Sequence, residues 1–132
     1  MSRDTLGPAR EVRRGRQWVS LEQRADFLRV GSSGLKRVAP GFILQAAKRS
    51  DAQTSPIHVG FTASRKVGNA VARNRAKRRL RALADRLIAD ADPSLDYVLI
   101  GRTETLTRAF GRMEDDLRQA LRRIAEPKRP RT

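Results

Sequence analysis

Apolar side chains recur along this chain with two different periods, and the changes between them mark out the elements. Leu21, Ala25 and Leu28 stand at helical spacing behind Ser20-Leu21-Glu22-Gln23, which has the Ser-x-x-Gln form of a capping box, so a short first helix is expected to run to about Val30. Gly31 and Gly34 stop it, and Pro40-Gly41 marks a turn before the strand Phe42 to Ala47. Lys48 to Pro56 is polar and reads as a loop joining two antiparallel strands. In the second strand, Ile57 to Ser64, the residues Ile57, Val59, Phe61 and Ala63 face one way, and His58, Gly60, Thr62 and Ser64 the other. From about Ala70 to Ala89 the period becomes helical. Ala76, Leu80, Leu83, Ala84 and Leu87 form one stripe, while Asn74, Lys77, Arg78 and Arg81 cluster on another side. Pro93 lies in the break that follows, Tyr97 to Gly101 is a short apolar strand, and a last helix sends Phe110, Met113, Leu117, Leu121 and Ile124 to the core. The order helix, strand, strand, helix, strand, helix predicts an α/β (α+β) sandwich, a small sheet packed by helices.

The flanks carry little to bury. Residues 1–17 read as a flexible basic arm with Trp18 as its anchor, residues 18–126 as a single domain, and residues 127–132 as a disordered basic tail. A chain of 132 residues buries enough surface to fold as one domain without staples. It has no Cys and one His, His58, read as an ordinary sheet residue. Disulfides and Cys-based zinc sites are therefore excluded, His-rich metal sites lack their parts, and neither a metal site nor a catalytic residue is expected in the protein. The longest apolar run is the four residues Tyr97 to Ile100, far short of a membrane span. The start, Met1-Ser2-Arg3-Asp4, lacks the apolar segment of a secretory signal, so the expected compartment is the cytoplasm.

Charge changes the picture most. The formal net charge is +15, and it is concentrated: residues 27–84 hold thirteen Lys or Arg against one acid, Asp51, whereas residues 85–126 hold seven bases and nine acids. A folded segment with that balance presents a shaped cationic surface, the footprint of a nucleic-acid binder. Its densest part is Arg65-Lys66 followed by Arg73-Asn74-Arg75-Ala76-Lys77-Arg78-Arg79-Leu80-Arg81. Asn74, Arg78 and Arg81 share one helical edge, a row suited to a phosphate backbone, and Arg forks bind phosphate bidentately or stack on bases. On the residues alone, a solvated basic face, a calmodulin-target or membrane-surface helix, a structural RNA binder and a duplex-DNA binder all stay open. The apolar stripe of Ala, Leu and Ile, without bulky aromatics, speaks against the membrane and calmodulin readings.

The stretch from Phe61 to Arg81, FTASRKVGNAVARNRAKRRLR, resembles the signature of the protein subunit of bacterial ribonuclease P, and a weaker likeness runs from about Val19 to Ile124 through Arg24-Ala25-Asp26-Phe27 and Phe42-Ile43-Leu44. The resemblance implies a ribonucleoprotein that removes the 5′ leader of precursor tRNA. RNA would be the catalyst, Mg2+ would be held by that RNA, and the protein would be a monomer bound 1:1 to it. It implies that Arg65, Lys66, Asn69, Arg73, Asn74, Arg75, Lys77, Arg78 and Arg81 bind the catalytic RNA. A cleft between the first helix and the open sheet face, with Phe27, Phe42, Thr62 and Ser64, would hold the single-stranded leader. This chain departs from the family pattern at Gly31 and Gln45, where many relatives carry aromatics, so weaker stacking on the leader is expected. The resemblance further implies a left-handed strand-helix-strand crossover through the basic helix, against the usual hand, with Gly68 at the turn permitting it.

Overall fold

A computed structural model describes residues 18–49 and 56–125. The expectations for the arm and the tail lie outside the described residues, as does most of the loop between Lys48 and Pro56. Five strands, β1 (Trp18–Ser20), β2 (Leu35–Ala39), β3 (Phe42–Lys48), β4 (Ile57–Ala63) and β5 (Leu95–Gly101), form one sheet in the order β1-β4-β5-β3-β2. Three helices pack on it: α1 (Arg24–Gly31), α2 (Ala70–Leu87) and α3 (Phe110–Ala125).

The period-2 alternation decides what each face holds. Phe42, Leu44 and Ala46 of β3, Ile57, Val59 and Phe61 of β4, and Leu95, Tyr97 and Leu99 of β5 meet the stripes of α2 and α3 in the main core. Each large side chain removed from water there contributes about 1.5–3 kcal/mol. Among the described residues, α1 is the helix on the opposite face, over a small second cluster of Leu21, Val30, Ala47 and Val98 with Phe27 and Ile100 against it. At the start of α2 small residues allow a close approach: a Cβ on Gly101 would stand 3.4 Å from the Cβ of Ala76.

Several expectations are corrected by this arrangement. Two strands are added, β1 and β2, so Trp18 belongs to the sheet; β1 pairs parallel with β4, Trp18 opposite Ile57. The capping box does not form, because Ser20 closes β1 and Gln23 takes the N-cap position without a side-chain bond. β3 and β4 run antiparallel but are not neighbours: β5 lies between them, antiparallel to β3 and parallel to β4. β4, α2 and β5 therefore form a strand-helix-strand unit whose strands are parallel neighbours. The last strand begins at Leu95, two residues before the apolar run.

Candidate nucleic-acid interface

Two local features set the position of the basic helix. Arg65–Val67 form a single 3-10 turn with Val67 buried, and Gly68 follows at φ 143°, ψ −158°, a conformation essentially confined to glycine. Asn69 then caps α2, its side-chain oxygen accepting from the Ala72 N–H at 2.9 Å. Ala76, Leu80, Leu83, Ala84 and Leu87 are buried, so the remaining faces turn outward. Arg65, Lys66, Asn69, Asn74, Arg75, Arg78 and Arg81 are exposed, whereas Arg73 and Lys77 are half-buried on the flank. The Arg81 guanidinium lies over the Phe61 ring at 5.4 Å from its centroid, which fixes one cation of the row. No acid occurs between residues 57 and 84; the first to follow, Asp85, accepts from the Trp18 indole N–H at 2.9 Å. The surface is thus cationic over more than three turns, with the positive end of the helix dipole at its start.

Beside the start of this helix a groove crosses the α1 face of the sheet. One part, about 410 Å³, lies between Arg24 and Phe27 of α1 and Gln45, Thr62, Val98 and Ile100 of the sheet. A second part, about 440 Å³, is lined by Ser64 and Lys66, by the Pro40 turn, and by Arg102, Thr103 and Glu104, and meets the first at Ile100. Phe27 and Thr62 line the first part and Ser64 the second, and Lys66 belongs to both the second part and the basic surface. Phe42 is not there. It is fully buried in the main core, because strand parity turns Ile43 and Gln45, not Phe42, toward the groove. The two positions without aromatics are neighbours, a Cβ on Gly31 standing 3.8 Å from the Gln45 amide oxygen, so Phe27 is the aromatic that α1 contributes.

Sequence reasoning missed a polar cluster under α1. Asp96 is 2% exposed, opposite His58 in the β4–β5 register. Its carboxylate accepts from Arg29 Nη2 at 2.5 Å, lies 3.0 Å from His58 Nδ1, and has Arg49 Nε at 3.8 Å. Burial pushes the Asp96 carboxyl up, but the hydrogen bonds to His58 and Arg29 outweigh it and hold the group below the usual carboxylate range. Arg29 also donates to the Lys48 carbonyl at 2.7 Å, so this cluster ties α1, and with it Phe27, to the sheet. The local signals were an acid at the start of an apolar strand and a histidine on the polar face of another. Their pairing depends on the strand order, which no local pattern carries. Among the described residues no group of three or more His, Asp or Glu side chains is arranged to hold a metal ion, and no helix is long and apolar enough to cross a membrane.

Comparison with known proteins gives a consistent result. The family model described as Ribonuclease P matches residues 16–125. A ribonuclease P protein component from Paramagnetospirillum magneticum is 54% identical over 107 residues, covering 79% of this chain and 80% of its own length. One from Ruegeria pomeroyi is 49% identical over 110 residues, covering 82% and 87%. The solved RNase P protein from Thermotoga maritima superposes with a TM-score of 0.67 at 26% identity, over 81% of this chain and 98% of that one. The Staphylococcus aureus RNase P protein shares the fold, with a TM-score of 0.66 at 22% identity over 80% and 94%. With the signature helix, the five-stranded sheet and these relatives in agreement, the chain belongs to the ribonuclease P protein family.

Proposed function

We propose that this protein component of ribonuclease P, an endoribonuclease of tRNA 5′ processing that works with RNA, grips its RNA partner through α2 and holds the precursor leader in the adjoining groove. The observation that carries this reading is the continuity of the two surfaces at Lys66. Arg65, Lys66, Asn69, Asn74, Arg75, Arg78 and Arg81, with Arg73 and Lys77 on the flank, neutralise phosphates of the catalytic RNA and release its counterions. In the groove, Phe27 offers a ring for a base, while Thr62 and Ser64 offer hydroxyls to the sugar-phosphate chain. A base stacked on an aromatic ring contributes about 1–3 kcal/mol regardless of its identity, which suits leaders of varied sequence. The leader exists only before cleavage, so these contacts favour precursor over product. Mg2+ held by the RNA supplies the hydrolytic chemistry; the protein binds and orients. It acts in the cytoplasm as a monomer, one copy to each RNA.

The test is precursor-tRNA cleavage by a bacterial ribonuclease P RNA at magnesium low enough that the RNA alone is nearly inactive. Adding this protein should restore release of mature tRNA and an intact leader. RNA binding without rescue would overturn the reading in favour of a non-processing RNA binder.

A further inference from the structure

Arg79 sits within the basic run yet does not face outward with it. A step of one residue turns a helix by about 100°, which carries Arg79 away from the Arg78 ridge toward α3. There its Nη1 donates to the Thr105 carbonyl at 2.7 Å and to the Arg108 carbonyl at 2.9 Å, and its guanidinium lies 5.7 Å from the centroid of the Phe110 ring. Those carbonyls belong to the 3-10 turn Thr103–Thr105 and the residues just after it. The same segment is fastened from the other side. The fully buried Thr105 hydroxyl donates to the Gly41 carbonyl at 2.6 Å and accepts from the Arg102 N–H at 2.7 Å, and Arg102 Nη1 donates to the Ala39 carbonyl at 2.7 Å. Residues 102–104 are one wall of the groove, facing Ser64 and Lys66.

We infer that Arg79 is a positioning residue for the leader: it fastens the far wall of the groove to the RNA-binding helix and makes no phosphate contact itself. The inference rests on the proposed use of the groove, and extends it to the segment after β5.

The test uses the reconstituted ribonucleoprotein with Arg79→Gln, Arg79→Lys and Thr105→Val, and Phe27→Ala as reference. Binding is measured to precursor tRNA carrying either a long leader or one trimmed to a single nucleotide, alongside the salt dependence of protein binding to the catalytic RNA. For Arg79→Gln and Thr105→Val we expect long-leader affinity to fall fivefold or more, with trimmed-leader affinity and the salt slope unchanged. Arg79→Lys, which keeps a donor for the carbonyls, should recover part of the loss and carries the comparison should Arg79→Gln fail to fold. A salt slope reduced by about one unit would make Arg79 a phosphate contact and overturn the inference. Equal losses for both precursors, or no loss, would also overturn it. If Phe27→Ala too fails to distinguish the precursors, the groove reading falls and takes this inference with it.

Discussion

The Phe27 ring lies directly on the backbone of Gly60: a Cβ built on Gly60 would stand 2.7 Å from the ring's Cε1 and Cζ. The missing side chain in β4 lets α1 bring its aromatic close against the sheet beside the groove. Gly60→Ala should therefore displace the ring, at an overpacking cost of about 1–3 kcal/mol. Precursor binding should weaken several-fold while mature tRNA binding is unchanged. Titration of the ribonucleoprotein with both RNAs checks this, and equal binding of precursor by parent and variant would refute it.

Phe27 and Phe42 should separate cleanly on mutation. Phe42 is fully buried in the main core, so Phe42→Ala costs about 3–5 kcal/mol of stability, and thermal unfolding reads it directly. Phe27 is half-buried against the small cluster under α1, so Phe27→Ala costs less stability. Its loss should appear in leader binding, about 5- to 150-fold for a lost base stack. A Phe42→Ala variant of parental stability would contradict the placement of that ring.

These two rings show where sequence reasoning holds and where it stops. The α2 stripe from Ala76 to Leu87 and the β4 alternation were legible because both are local periodicities. Gly68 at the turn was legible because an unusual backbone angle demands glycine. β1 and β2 were not. Trp18–Ser20 is three residues long, too short to display a period, and Leu35–Ala39 is an edge strand with three exposed positions. Which face of β3 meets α1 depends on strand order and parity, so Phe42 went to the wrong side of the sheet. Asp96 and His58 met for the same long-range reason, 38 residues apart in the chain.

The outward cations of α2 make a thermodynamic prediction. Arg75 and Arg78 are exposed and form no ion pair among the described residues, so Arg75→Ala and Arg78→Ala should leave stability within about 0.5 kcal/mol of the parent. Each should flatten the plot of log K against log salt for the catalytic RNA by about one unit. Filter binding across a range of salt measures it; slopes equal to the parent's would remove these residues from the interface.

Gly68 should resist substitution. Its φ of 143° is a strained region for any L side chain, and an added Cβ would stand 2.9 Å from the Cβ of Ala72. Gly68→Ala is expected to cost about 1–3 kcal/mol and to misplace Arg65 and Lys66 relative to α2. Denaturant unfolding and RNA affinity should both fall, and an unchanged midpoint would show that the turn relaxes freely.

Acid should loosen α1 through Asp96. Its carboxyl is held below the usual range in the folded protein, and an unfolded aspartate titrates at about 3.9. A depressed folded value means that the unfolded chain binds the proton first, so the stabilisation is complete above about pH 4 and is lost as pH falls through the folded value. Asp96→Asn discards this stabilisation at all pH and leaves Arg29 without its buried partner. The loss at pH 7 should be about 2–3 kcal/mol, less than for a fully buried pair because the Arg29 side chain is 30% exposed. Denaturant unfolding of both proteins from pH 7 downward should therefore show a gap that narrows below pH 4. A gap that stayed constant would mean that the Asp96 charge does not hold α1 to the sheet.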